Sequence, residues 1–385
     1  MSEEITSLGS SLKGGRMVWT KVEHEAFRGD KSYAPLFSLF SSKGIEEEFF
    51  ILSVDGKNVG RAKVAVDMNW ISKRHENVGF IDDFVIASEY RDHADALIQK
   101  CLLVLKEKEG IDEVLVRYNL PAMQYDSFDQ VAVFPCSHTP SWYIDIFERN
   151  GFEIKKRWVA YRATMEGEFS VPKDESEKGG GLLDEHGWEI KRINMRNNDE
   201  MKQYTELFYG AFIEHFGWNP AGVADISEGS SSGIERFLSG VIMRLVRFEL
   251  WGVFDKDKKL VAFAVVHPEY NEVMNASLKG NKLLRLPKLL INLRRAKMCT
   301  IDGIALSKEL RGFGFAKTIA PLALDFGMNK LGYRAFDGII LLDNIPSLRT
   351  AQPLIDRYVK RFGVNFNVTE MNYVTMAYRF DSGDL

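Results

Sequence analysis

Cys299-Thr300-Ile301-Asp302-Gly303-Ile304-Ala305-Leu306, followed by Arg311-Gly312-Phe313-Gly314-Phe315-Ala316-Lys317, joins an apolar strand pattern to an amphipathic helix pattern through a glycine loop. Gly312 and Gly314 let the backbone turn sharply and bring its N–H groups near a ligand. The helix start adds unsatisfied N–H groups and partial positive charge, which suits an anion such as pyrophosphate. Ala316 permits close approach to the sheet, and Arg311 and Lys317 can neutralise phosphate. Taken alone, the loop also fits a tight strand-to-helix turn in which glycine serves geometry only.

Working outward, a hairpin pattern precedes this unit at Phe248 to Val266, around Asp255-Lys256-Asp257. A helix pattern runs from Phe315 to Leu331, and a strand from Ala335 to Leu342 follows it. Strand, helix, strand in this order is a βαβ unit, so part of the sheet is expected to be parallel. The first half repeats the order. It has a hairpin at Glu48 to Val66 around Asp55-Gly56, a strand at Gly79 to Ile86, a helix from Arg91 to Glu109 and a strand at Glu113 to Tyr118. Ile81-Asp82-Asp83-Phe84-Val85-Ile86 lies on Ile301-Asp302-Gly303-Ile304-Ala305-Leu306 at an offset of 220 residues. Without a gap, the same offset pairs Glu89 with Glu309, Arg91 with Arg311 and Ala96 with Ala316. Both halves also close alike, in Ala160-Tyr161-Arg162 and Ala377-Tyr378-Arg379, as an internal duplication would produce. The expected fold class is α/β (α+β), two tandem domains each built on a mixed, partly parallel sheet flanked by helices. Domains are expected at 16–165 and 188–385, joined by a linker at 166–187 whose charge, Pro172 and Gly179-Gly180-Gly181 leave little to bury.

The 385 residues are 45% hydrophobic and 27% charged, the balance of a globular protein with more than one core. A net charge of -4 argues against general nucleic-acid binding, so no nucleic-acid partner is expected. Cys101, Cys136 and Cys299 form neither a zinc spacing nor a disulfide framework, so no metal is expected and a reducing cytoplasm is the expected compartment. The chain shows neither a signal-peptide pattern at Met1-Ser2-Glu3-Glu4 nor an apolar run long enough for a membrane span.

Strand, Arg-x-x-Gly-x-Ala, helix, strand and then Asn344 resembles the GNAT superfamily of CoA-dependent N-acyltransferases. The resemblance covers both halves in element order and is specific in the second. The resemblance implies an acyl-CoA, such as acetyl-CoA, held along Thr300 to Leu306, its pyrophosphate on the N–H groups of Gly312 to Lys317 and Asn344 beside it. The whole chain also resembles a tandem-GNAT group of bacterial proteins labelled YghO-like, through Tyr270-Asn271, the basic stretch after it and Phe216-Gly217-Trp218-Asn219-Pro220. The first half departs at the decisive place. Arg91-Asp92-His93-Ala94-Asp95-Ala96 has neither glycine, and its aspartates oppose a pyrophosphate, so that half is expected to be structural or to shape a substrate pocket.

N-acyl transfer needs an amine freed of its proton and a polarised thioester carbonyl. By period-two alternation Asp302 shares a face with Ile304 and Leu306, which would aim it into the cleft as a base; it could equally be a structural carboxylate, as its twin Asp82 suggests. The family's tyrosine on the last helix has no counterpart at the usual position, which falls on Ala351; helix Ser347 to Lys360 offers only Tyr358. His215, Phe216 and Trp218 stand where an acceptor, a small-molecule or peptide amine, would approach, or they pack. His267 reads as a satisfied structural histidine. The stretch 279–297 carries seven basic residues among leucines, fitting a lid, an anion contact, an interfacial helix or a packed helix with a basic face, with Pro287 expected to break it near its start. The competing functions are CoA binding without turnover and aminoacyl transfer from tRNA. The sequence leaves the oligomeric state open.

Overall fold

The computed structural model describes residues 2–4, 17–22, 44–117, 120–136, 138–166, 181, 183–212, 215, 244–278, 284–311, 315–325 and 331–380. The first half contains β1 (Ser2–Glu4), β2 (Met17–Val22), β3 (Ile45–Val54), β4 (Lys57–Asp67), α1 (Met68–Arg74), β5 (Val78–Ile86), α2 (Ala94–Lys106), β6 (Glu113–Val116), β7 (Met123–Gln124), α3 (Trp142–Arg149) and β8 (Glu153–Met165). The second contains β9 (Glu189–Arg192), α4 (Asn198–Phe212), β10 (Glu249–Phe254), β11 (Leu260–Pro268), α5 (Tyr270–Leu278) and α6 (Arg285–Arg295). It continues through β12 (Met298–Leu306), α7 (Phe315–Asp325), β13 (Ala335–Leu341), α8 (Ile345–Phe362) and β14 (Phe366–Arg379).

Local chemistry sets these elements and repeats between the halves. Asp55 and Gly56 both take positive φ, 50° and 77°, the mirror-image turn that matches the twist of β3 and β4. Asp67 ends β4 and accepts the Asn69 N–H at 2.8 Å, capping α1. Glu269 follows β11 and does the same for α5, accepting the N–H of Glu272 at 2.6 Å. A short 3-10 turn follows β5 at Ser88–His93 and β12 at Lys308–Leu310, each leading to the next helix. The basic stretch does form a helix, but Pro287 does not break it. It lies in the first turn of α6, where an N–H would have no intrahelical acceptor.

The described strands form one sheet of 14, in the order β1-β2-β3-β4-β5-β6-β14-β8-β13-β12-β11-β10-β9, with β7 beside β14. Two pairs are parallel, β5 with β6 and β12 with β13, one in each half as expected. The centre of the sheet is where the halves meet, and there they exchange strands. β14, the last strand of the second half, pairs with β6 of the first, Ala377 opposite Leu115. β8, the last strand of the first half, pairs with β13 of the second from Thr164 opposite Ala335 to Trp158 opposite Leu341. β8 and β14 then run antiparallel to each other from Phe366–Met165 to Ala377–Glu153. Neither half closes its sheet from its own residues.

A buried pair fastens this seam. Arg162 on β8 lies opposite Asp337 on β13, with Nη2 2.7 Å and Nε 3.1 Å from Oδ2. Thr300 Oγ1 donates to the other carboxylate oxygen at 2.7 Å, and Arg162 Nη1 donates to the Val131 carbonyl at 2.8 Å. Burial pushes the Asp337 carboxyl up, against the pull of Arg162 and Thr300. A pair of this kind adds little net stability but is costly to break on one side.

Candidate functional site

In the second half, the last paired residues of the parallel strands are Thr300 and Asp337. Beyond them β12 continues to Leu306 and β13 to Leu341 without pairing to each other, so the sheet opens as a wedge. Gly338 stands where the strands part, and a Cβ there would come within 3.2 Å of the Ile301 carbonyl oxygen. Ile304 and Leu306 on one wall remain half-buried, and Leu342 and Ile345 past the other wall are exposed. Helix α7 starts at Phe315, at the mouth. Arg311 is committed to the framework. Its Nε donates to the Leu306 carbonyl at 3.2 Å and its Nη2 to the Gly210 carbonyl at 3.3 Å, tying the loop to β12 and α4. The ring of Phe315 packs on Trp188 and His186.

The corresponding place in the first half is filled by side chains. β5 and β6 pair up to Ile81 and Val116, then separate as the chain turns at Arg117 (φ 75°). Helix α3 lays Tyr143 and Phe147 against Phe84, at centroid distances of 5.3 and 5.2 Å. The Ile86 N–H donates to the Tyr143 hydroxyl oxygen at 3.2 Å, so a strand-end donor is spent inside the protein. Ala94 is buried at the helix start in ordinary helical geometry. Asp95 accepts from Arg149 Nε and from Asn150 Nδ2, both at 2.7 Å.

The twin aspartates have diverged as well. Asp82 is held by Lys63 at 3.1 Å, and Lys63 also donates to Glu47 at 2.9 Å. Burial works against the charged carboxylate, yet Lys63 and Arg117 hold it below the usual range. Among the described residues no lysine pairs with Asp302, which lies across from Val265 and Val266 of β11. Val265 pairs with Gly303 and Val266 with Ile301, which leaves Asp302 as the extra residue of a β-bulge. The bulge interrupts the alternation expected from sequence. The Asp302 side chain is 41% exposed and its Oδ2 lies 3.7 Å from Nε2 of the fully buried His267.

His267 is more than a satisfied histidine. Its Nδ1 lies 2.7 Å from the Pro268 carbonyl and so carries the proton, while Nε2 is buried with no hydrogen-bond partner among the described residues. Its ring stacks on Tyr270 at 4.6 Å and on Phe248 at 5.9 Å. The first half supplies one further wall, which the sequence did not disclose. Phe134 meets the His267 ring edge-on at 5.4 Å, and its N–H donates to Glu269 at 2.9 Å. Asn271 grips the same loop by donating to the carbonyls of Ala132 and Cys136. Burial and Asp337 push the Glu269 carboxyl up to about 7, against the backbone N–H groups of Glu272 and Phe134.

Asn344 caps α8, its side chain accepting the Ser347 N–H at 3.3 Å. Tyr358 is wholly buried among Leu354, Phe366 and Ala163, away from any role as a proton donor at the mouth. The backbone carbonyl of His215 accepts from Arg74 Nη1 at 2.7 Å, so the first half also reaches that side of the cleft. Gly312, Phe313, Gly314, Phe216 and Trp218 lie outside the described residues, as does the Lys317 side chain; residues 167–180 and 182 of the expected linker do too. Among the described residues no cluster suits a metal ion, and no helix is long and apolar enough to cross a membrane.

No family model matches the sequence, and no curated protein matches it. Solved structures do. A tandem GNAT protein from the clavulanic acid biosynthesis pathway superposes with a TM-score of 0.53 at 10% identity, over 94% of this chain and 98% of that one. A GCN5-related glucosamine N-acetyltransferase region of a fungal multi-domain GH3 β-N-acetylglucosaminidase superposes with a TM-score of 0.57 at 12% identity. That match covers 97% of this chain and 39% of the other. The fold is that of a tandem GNAT protein, while the likeness to the YghO-like group rests on the sequence features alone.

Proposed function

We propose that the chain is an acyl-CoA-dependent N-acyltransferase whose second half binds the cofactor and whose first half shapes the acceptor side. One observation carries this reading: of two duplicated wedges, the first is plugged by Tyr143, Phe84 and Phe147, and the second keeps an apolar, half-exposed wall leading to the glycine loop. The residues fit the group. Ile304 and Leu306 offer apolar surface to a pantetheine arm, the start of α7 and Arg311-Gly312-Phe313-Gly314-Phe315-Ala316-Lys317 suit a pyrophosphate, and Asn344 borders the opposite wall. Bound there, acetyl-CoA or another acyl-CoA supplies an activated thioester.

The chain itself positions the acceptor, excludes water and takes a proton. Asp302 is the base. It is the carboxylate at the bulge of β12, partly open to solvent, with a histidine behind it where Asp82 has a lysine. Removing the amine proton at Oδ2 leaves the nitrogen lone pair free to attack. His215 stands on the acceptor side, and Phe216 and Trp218 follow it in the sequence as further candidates for contact with the acceptor. The acceptor is a small-molecule or peptide amine, and three buried free cysteines, Cys101, Cys136 and Cys299, suit a reducing, cytoplasmic setting.

A second reading, CoA binding without turnover, is favoured by the burial of Tyr358, which leaves α8 without a tyrosine that could protonate the thiolate. Thiol release from acetyl-CoA over a panel of amines separates the two. The enzyme reading expects turnover that falls on the order of 10²-fold or more in Asp302→Asn, with cofactor affinity kept. Cofactor binding with no thiol release from any amine would favour the second reading.

A further inference from the structure

Helix α6, the described part of the basic stretch 279–297, has two unlike faces. Leu289 and Leu293 of α6 are buried and pack against Tyr270 and Val273 of α5. The outer face is neither polar nor apolar. Leu284, Leu290 and Ile291 are 51%, 37% and 47% exposed, and between and beside them stand Arg294, Arg295 and Lys297, also exposed. On a helical wheel, positions 284, 287, 290, 291, 294 and 295 fall on one continuous arc. A solvated face needs no aliphatic residues, and a face buried in the protein's own core would not place arginines among them.

Charge identifies the occupant. The chain has a net charge of -4, yet 279–297 holds seven basic residues and no acid. A nucleic acid would meet the cations but leave three large aliphatic side chains against water. An anionic lipid surface satisfies both, taking the aliphatics at the headgroup boundary and the cations at the phosphates. The neighbouring chain enlarges the same region. Arg247 Nη1 donates to the carbonyls of Leu293 and Arg294 at 3.1 and 3.3 Å, tying the last turn of α6 to the segment that holds Leu245, itself 47% exposed.

We infer that the outer face of α6 docks the protein on an anionic lipid bilayer, as a peripheral contact parallel to the surface. The contact is independent of the acylation reading, since no residue of the wedge belongs to it.

The test is co-sedimentation of the full chain with vesicles of equal parts phosphatidylglycerol and phosphatidylcholine, and with vesicles of phosphatidylcholine alone. Arg294→Glu/Arg295→Glu and Leu290→Ser/Ile291→Ser change exposed side chains only, and circular dichroism checks that both fold. Binding is expected to the anionic vesicles, weaker in high salt and weak to the neutral ones. The arginine pair should lose affinity roughly fivefold or more for each cation replaced, and the aliphatic pair on the order of tenfold or more. Absence of wild-type sedimentation would overturn the inference, as would binding unaffected in either double variant. Loss in the arginine pair alone, with equally tight binding of wild type to transfer RNA, would assign the face to a polyanion instead and overturn it too.

Discussion

The two strand-to-helix junctions, Ile86 to Ala94 and Leu306 to Phe315, share one sequence pattern and differ in how their surroundings are filled. In the first, three groups at the matching place are already engaged within the protein. Its strand-end N–H is taken by Tyr143, its helix-start aspartate by Arg149 and Asn150, and its Asp82 by Lys63. In the second, the same positions are left toward the cleft: Asp302 faces valines instead of a lysine, and the apolar wall stays half-exposed. Filling a wedge with aromatic side chains yields buried area and therefore stability. An open wedge forgoes that stability in favour of binding. The first half reaches across with Phe134 and Arg74 to the edge of the second half's wedge.

The largest break in this comparison comes from separating the halves. Because β8 completes one sheet and β14 the other, residues 188–385 expressed alone should not fold, and co-expression with 1–187 should restore a soluble complex. Cleavage at a protease site placed within 167–180 should leave the two pieces together on size exclusion. A stably folded isolated half would show the exchanged strands to be dispensable.

Next in size is the contrast between the twin aspartates. Asp82→Asn removes the carboxylate 3.1 Å from the buried Lys63 and should cost about 3 kcal/mol of stability in denaturant titration. Asp302→Asn, exposed and 3.7 Å from its neighbour, should leave the unfolding midpoint close to wild type while lowering turnover. Equal losses of stability would erase the distinction.

The seam gives a pH signature. With its carboxyl raised to about 7, folded Glu269 keeps a proton that the unfolded chain has released from about pH 4.3 upward. The folded state therefore binds more protons in that window, so stability falls as pH rises through it and levels off above about 7. The slope is worth on the order of 3 kcal/mol over the window, and Glu269→Gln should remove it, at a pH-independent cost because the amide keeps only one of the two oxygens that accept the Phe134 and Glu272 N–H groups. Thermal melts across pH give the answer, and an unchanged slope in the variant would contradict the assignment. The smallest effect is expected for Tyr143→Phe, which deprives the Ile86 N–H of its acceptor and should cost about 1 kcal/mol.

Much of this was legible in the sequence. The Asp-Gly turn, the strand ending in Leu306 and the 220-residue offset gave the element order, because each depends on neighbours in the chain. The strand exchange was not legible. β8 and β14 carry the same motif, Ala160-Tyr161-Arg162 and Ala377-Tyr378-Arg379, and periodicity says which face is buried but not which strand lies alongside. The bulge at Asp302 was hidden for a related reason, since alternation assumes an unbroken ladder. Glu269 and Phe134 gave no signal, as their roles exist only once the halves meet. The buried Arg162–Asp337 pair had only a faint one, an arginine in the shared closing motif.

The central claim, that one wedge of two holds the cofactor, is tested most directly by calorimetry with acetyl-CoA on the full chain. Wild type should bind with one site per chain, Gly314→Asp should abolish the heat, and Ala94→Asp, at the matching place in the first half, should leave any change in affinity no larger than its loss of fold explains. Two sites per chain, or binding that survives Gly314→Asp in a folded protein, would contradict it.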